Sequence, residues 1–305
     1  MAIVAFAVGA VISLGTSWVL VTRLERLGER VGLSEALLGL VAALAADTPE
    51  ITSAVTAVVH HERAVGSGVV IGSNVFNLAA LLGLGAIVAG RIELHRKVVV
   101  LGGAVASWVA LVSLVCAVGL IGPLPGLVLV LVVLVPYVVL LGTRRRPTRR
   151  RETPPRWQQW LRSAVVEEES ELEAAIRPRP GTRGDAVAAV ASMVVVVGGL
   201  ILAAVTSLPN AVAGVYLASR GRGAAMLSTT LSSNTFNIVL GLLLPAVFVG
   251  LALPSRQQTL IVAWYGALTV ITLAFAYVGR GLRGGHGWMI VAGYAGFVAV
   301  LLAVS

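Results

Sequence analysis

Long uncharged runs recur along the chain, at Ala2 to Val21, Val98 to Val118, Pro123 to Leu141, Thr259 to Val278 and Trp288 to Val304. An apolar stretch of about 18–20 residues is the length of helix that crosses the hydrocarbon core of a bilayer. The pattern therefore predicts several spanning helices, which satisfy every backbone amide internally where no water is available to do so. The first run carries no basic leader and no clear small-residue cleavage site, and it reads as a retained span.

Polar positions are concentrated between the two hydrophobic halves. Residues 143–184 contain Arg144, Arg145, Arg146, Arg149, Arg150 and Arg151, then Pro154 and Pro155. Trp157, Trp160 and Leu161 follow at helical spacing, then an acidic group from Glu167 to Glu173. This segment reads as a basic interfacial connector, its arginines facing anionic lipid and its tryptophans at headgroup level. The expected organisation is a first transmembrane repeat over 1–142, a cytoplasmic loop over 143–184 and a shortened second repeat over 185–305.

The two halves repeat each other. A shift of 160 positions superposes Gly39 on Gly199, Pro49 on Pro209, Ser73 on Ser233, Asn74 on Asn234, Phe76 on Phe236 and Asn77 on Asn237, without a gap. Two copies of Ser-Asn-x-Phe-Asn, each at the same distance after a proline inside an apolar run, point to a transporter whose site lies between its repeats.

The polar residues inside the apolar runs carry the candidate chemistry. Asp47, Thr48 and Glu50 lie in the middle of the second span, beside Pro49. An ionisable residue at bilayer depth is costly and marks a functional site. Proline removes a backbone donor and breaks the helix there. Carboxylate, hydroxyl and carbonyl oxygens together are what a hard cation such as Ca²⁺ or Na⁺ needs. The matching stretch of the second half, Val205 to Asn210, keeps the proline and the hydroxyls of Thr206 and Ser207 but has an amide, Asn210, where Glu50 has a carboxylate. Ser73 with Asn77, and Ser233 with Asn237, are four apart on one helix face and can point together into a site.

Composition agrees with this picture. Of 305 residues, 57% are hydrophobic and 12% charged, and the mean hydropathy is +0.93. The net charge of +9 does not indicate a nucleic-acid partner, because 11 of the 23 basic residues fall in the 143–184 loop. Others gather after the first span (Arg23, Arg26, Arg30) and after the third (Arg91, Arg96, Lys97). Basic residues favour cytoplasmic loops, so the loops after spans one, three and five are expected inside and the amino terminus outside. The single cysteine, Cys116, excludes a disulfide framework. No Gly-x-x-x-x-Gly-Lys-Ser/Thr run, nucleophile–base pair or His/Cys cluster appears, which argues against an ATP-driven pump and against an enzyme. A channel would use the same polar residues, but two pseudo-symmetric broken helices favour a transporter.

At these motifs the chain resembles the sodium/calcium exchanger family of calcium:cation antiporters. That family carries two inverted repeats, each with a Gly-Thr-Ser-Leu-Pro-Glu-like break followed by Gly-Ser-Asn-x-Phe-Asn or -Asp. The resemblance implies an all-α, polytopic bundle in the cell membrane, with no cofactor, whose partners are transported cations and lipid. Oligomeric state is left open. It implies Glu50 as the central cation ligand, with Thr206, Ser207, Ser73, Ser233, Asn77 and Asn237 lining the ion sites. It further implies Na⁺/Ca²⁺ exchange by alternating access, with proton-coupled or other-cation exchange, or a transport-impaired truncated member, as alternatives. Three positions depart from the family pattern. Asn210 is neutral where an acid is usual, Asn237 stands where an aspartate is common, and Asp47 replaces a serine. The site charge of about two negatives then comes entirely from the first half. The family has ten spans, whereas residues 184–209 hold one continuous apolar run, Ala186 to Leu208. The expectation is about nine spans, lacking the sixth, and a nine-span chain would lose the inversion between its repeats.

Overall fold

The computed structural model describes residues 43–44, 47–142, 159–160, 163 and 223–304. The first span, most of the 143–184 loop and the apolar run 186–208 lie outside the described residues. So do the expected loss of the sixth span and the site candidates Thr206, Ser207 and Asn210.

Within the first half, α1 (Thr48–Val59) turns into α2 (Arg63–Asn77), which continues through a π-helical stretch, π1 (Leu78–Leu84), into α3 (Gly85–Ala89). A short strand β1 (Arg91–Glu93) leads to α4 (Arg96–Ala117) and α5 (Pro123–Gly142). The second half repeats the helix order but carries its strand one helix later: α6 (Gly223–Phe236), π2 (Asn237–Leu243), α7 (Leu244–Val249), α8 (Arg256–Val278), strand β2 (Gly281–Arg283) and α9 (Gly284–Val304). The starts of α6 and α8 fall 160 residues after those of α2 and α4. Six helices among the described residues are long and apolar enough to span a membrane: Arg63–Ala89, Arg96–Ala117, Pro123–Leu140, Met226–Val249, Arg256–Val278 and Gly284–Ala303. The fold is an all-α polytopic bundle.

The ends of the two motif-bearing helices match as well. Each terminates at a glycine with positive φ, Gly90 at 68° and Gly250 at 87°, conformations that other residues adopt at a cost. Neither π stretch is predicted by the sequence pattern. Each begins at or just after the last asparagine of a Ser-Asn-x-Phe-Asn motif. A π-helix carries more residues per turn than an α-helix and is found mostly as a bulge inside an α-helix, frequently at a functional site. Here each one re-phases the face that its helix presents to its neighbours immediately beyond the motif.

The halves are inverted. The helix running from α2 to α3 pairs with the helix running from α6 to α7 in opposite senses, since α2 packs on π2 while α6 packs on π1. The relation extends outward: α8 packs on α2 as α4 packs on α6, and α9 on π1 as α5 on π2. Strands β1 and β2 form an antiparallel two-stranded ribbon, with Arg91 opposite Arg283 and Ile92 opposite Leu282. At the ribbon end lie Arg91, Arg96, Lys97, Arg280 and Arg283. The opposite end holds the turn between α1 and α2, the link from α7 to α8, and only Arg63 and Arg256 as lysine or arginine side chains among the described residues. There the Gln258 amide donates to Ser67 Oγ at 3.1 Å and fastens α8 to α2. The basic ribbon end thus joins the loop after α3 in the first half to the loop after α8 in the second, as two repeats of opposite orientation require.

Candidate functional site

The site grows from three helices meeting at the middle of the bundle. Helix α1 starts at Thr48 with Pro49 in its first turn, where a missing N–H costs nothing. Asp47 precedes it and Glu50 lies in the first turn. Three apart, the two acids share a face, and both are 0% exposed. A helix start carries partial positive charge, which favours carboxylates there. Thr48 is not brought to this face. It is exposed, and its hydroxyl donates to the Leu44 carbonyl at 3.3 Å. One residue step turns the side chain about 100° around the helix, which carries Thr48 away from the direction that Asp47 and Glu50 share.

Opposite these acids the two motif helices are joined by a reciprocal hydrogen-bond ring. Asn74 Nδ2 donates to the Asn234 carbonyl at 3.0 Å, and Asn234 Nδ2 to the Asn74 carbonyl at 3.1 Å. Asn77 Nδ2 donates to Ser233 Oγ at 3.2 Å and to Asn234 Oδ1 at 3.1 Å. Asn237 Nδ2 donates to Ser73 Oγ at 3.3 Å and to Asn74 Oδ1 at 3.2 Å. Every bond on one side has its counterpart 160 residues away, so a local two-fold axis passes between Asn74 and Asn234. Ser73 and Asn77 therefore do meet polar partners, but each meets the other repeat's residue. All six side chains are at most 1% exposed.

This ring fixes the orientation of the outer asparagines. With Nδ2 of Asn77 and Asn237 occupied across the interface, their Oδ1 atoms are buried and accept no hydrogen bond among the described residues. An amide oxygen left in that state costs about 1–3 kcal/mol, a cost that a bound cation removes. The ring is tied to one of the acids directly: Ser233 Oγ donates to Asp47 Oδ1 at 2.6 Å. The cluster thus offers two carboxylates, two amide oxygens and serine hydroxyls and contains no thiol or imidazole, a donor set for hard cations. Among the described residues, Asp47 and Glu50 are the only buried charged side chains.

Sequence reasoning did not place two of the participants in the site. Asn74 and Asn234 were visible inside the duplicated motif, and their superposition was the available signal. His60 and His61, at the end of α1, are exposed and take no part.

Comparison with known proteins agrees with this architecture. Among solved structures, the chain is similar to the sodium-calcium exchanger NCX_Mj. Against the form soaked with zero Na⁺ and Ca²⁺, the TM-score is 0.62 at 20% identity, covering 98% of each chain. Against the form soaked with 2.5 mM Na⁺ and 0.1 mM Sr²⁺, it is 0.65 at 22% identity, covering 98% of this chain and 99% of the other. Comparison with curated proteins finds no match. The sequence profile described as "Sodium/calcium exchanger protein" matches residues 1–143 and 185–303, on either side of the polar loop. On that match over most of its length, the chain belongs to the sodium/calcium exchanger family and is a multi-pass membrane cation exchanger.

Proposed function

We propose that the chain exchanges Na⁺ for Ca²⁺ by alternating access around the buried site at the start of α1. One observation carries this reading. The only buried charges among the described residues, Asp47 and Glu50, share a face at the start of α1, and Asp47 is bonded to Ser233 of a ring whose Asn77 and Asn237 amide oxygens accept no hydrogen bond among those residues. Two carboxylates at bilayer depth each cost on the order of 3 kcal/mol or more. Interhelical hydrogen bonds in membranes return only about 0.6 kcal/mol apiece, and a bound cation offsets far more of that cost. One Ca²⁺ or two Na⁺ neutralises the pair equally well, and that equivalence is the basis for competition at a single site.

In this reading Glu50 is the central ligand and Asp47 provides the second charge. Asn77, Asn237, Ser73 and Ser233 complete the oxygen set, with Thr206, Ser207 and Asn210 contributed by the second repeat's break. Both charges come from one repeat, an arrangement that favours weaker or altered divalent selectivity over a site with an acid on each side. The ribbon end faces the cytoplasm, since it gathers the basic residues.

The test is uptake of radioactive Ca²⁺ into liposomes that contain the purified chain and are loaded with Na⁺. Uptake is expected to require the outward Na⁺ gradient. Glu50→Gln is expected to reduce it by about 100-fold, which corresponds to roughly 2.7 kcal/mol of lost ion stabilisation, while the protein still inserts in the membrane. Unchanged flux in that variant removes Glu50 from the mechanism. Flux that follows a pH gradient instead of Na⁺ identifies a proton-coupled exchanger, and silence under every gradient identifies an impaired family member.

A further inference from the structure

Where the two halves meet at the ribbon, the fold sets like charges against each other. The Gly284 N–H donates to the Gly90 carbonyl at 2.8 Å, and the Leu94 N–H to the Arg280 carbonyl at 3.3 Å. Hydrogen-bonded and non-hydrogen-bonded pairs alternate along an antiparallel ladder, so Arg91 and Arg283 form a non-hydrogen-bonded pair. In such a pair the Cα atoms stand about 4.5 Å apart and the side chains share a face. Ile92 and Leu282 turn inward and are buried, whereas Arg91 and Arg283 are exposed. Like charges directly opposite each other destabilise a strand pair. Glu93 is the one carboxylate at this end among the described residues, and it reaches Arg91 Nε at 3.7 Å. Arg283 has no carboxylate partner among them. Basic residues anywhere in the two loops would mark the cytoplasmic side. That role does not require two arginines side by side across the repeat boundary.

Three neighbouring features point to what joins them. Helices α4 and α9 begin directly after β1 and β2 and carry no acid in their first turns, so both bring positive helix ends to the ribbon. The Arg283 N–H, left outside the ladder, donates to His286 Nδ1 at 3.3 Å. That imidazole stacks on Phe275 with ring centroids 4.8 Å apart, which holds the backbone of Arg283 in place. Beside the ribbon the surface is apolar and uncovered: Tyr277 and Val278 at the end of α8, and Trp288 and Met289 near the start of α9, are exposed. The Arg96 guanidinium lies 5.1 Å from the Tyr277 ring centroid, where the charged and apolar surfaces meet. Exposed Tyr and Trp rings at a helix end are the surface that lipid meets at headgroup level.

From this arrangement we infer that the ribbon end binds the phosphate of an anionic phospholipid between Arg91 of the first repeat and Arg283 of the second. The acyl chains lie along the exposed faces of α8 and α9. A guanidinium is a planar fork that matches phosphate oxygens, and one phosphate held by two forks turns a repulsion between the repeats into a tie. Free phosphate offers the same oxygens, but the apolar surface beside the arginines selects the lipid. This site is separate from the buried acids, and its test needs no transport.

The experiment follows the unfolding midpoint of the full chain in an uncharged detergent as phosphatidylglycerol is added. The midpoint should rise saturably by about 3–6 °C, and phosphatidylcholine or inorganic phosphate at the same concentration should move it by less than about 1 °C. Arg91→Gln and Arg283→Gln should each lose more than half of the rise. The double variant should lose little more than either, because one headgroup uses both forks. Arg280→Gln at the same end, and Arg63→Gln with Arg256→Gln at the other, should keep most of it. Should the double variant fail to fold, the two single variants decide. A loss in Arg280→Gln equal to that in Arg283→Gln reports diffuse attraction to any anionic surface and overturns the inference. An equal rise with inorganic phosphate assigns the arginines to a soluble anion and overturns it too, as does an equal rise with phosphatidylcholine or no rise with phosphatidylglycerol.

Discussion

At the scale of single residues, the site is defined by where its charge resides. Asp47 reaches across the repeat boundary to Ser233 at 2.6 Å, so a carboxylate from the first repeat stands against a hydroxyl of the second. The second repeat has an amide, Asn210, where the first has Glu50. Placing an acid there tests how charge sets affinity. Asn210→Glu should tighten apparent Ca²⁺ affinity by about tenfold, or roughly 1.4 kcal/mol, read from the Ca²⁺ dependence of flux. An affinity that stays flat or falls contradicts the charge argument. Thr48 illustrates the limit of reading residues from proximity in sequence. It stands between the two acids, yet its hydroxyl is spent on the Leu44 carbonyl, because a helix turns neighbouring side chains to different faces.

Elements explain how such a polar ring survives in a bilayer. The motif helices approach their neighbours closely through small residues, the usual device where lipid removes the hydrophobic incentive to associate. At the crossing of π1 with α9, a Cβ at Gly287 would stand 2.5 Å from the Gly83 carbonyl oxygen and 2.9 Å from Ile87 Cγ1. Backbone cannot yield there as a side-chain tip can. Gly287→Leu should therefore cost about 1–3 kcal/mol and lower the unfolding midpoint in detergent by roughly 3–10 °C. Gly285→Leu, two residues away with open space around its Cβ position, should leave the midpoint unchanged. Much at this scale was legible: the long apolar runs became α4, α5, α8 and α9, and the duplicated motif became the ring. The π stretches were not legible, since a helix apolar on nearly every face gives no phase against which an extra residue per turn would show. The β1–β2 ribbon is three residues a side, too short for a strand pattern.

For the whole molecule, the two described halves run in opposite senses, and their basic residues say the same thing independently. The expectation that nine spans would abolish inversion concerned residues 186–208, outside the described residues; the motif helices themselves pair head to tail. Sidedness can be measured without reference to those residues. In a Cys116→Ser background, Glu62→Cys should react with an impermeant maleimide in intact cells. Arg91→Cys and Arg283→Cys, at the ribbon end, should react only after permeabilisation. Labelling of positions 91 and 283 on opposite sides would contradict the inverted arrangement.

The reciprocal ring has a consequence for the history of such a chain. When a sequence is doubled, its copies ordinarily drift apart, each tolerating change without regard to the other. Here each Ser-Asn-x-Phe-Asn segment finds its hydrogen-bond partners in the other segment and not in itself. Asn77 needs Ser233 and Asn234 just as Asn237 needs Ser73 and Asn74. A change in either copy strands a buried polar group in its twin, so neither can be edited alone. The two passages are bound to remain spelled alike while the text around them diverges.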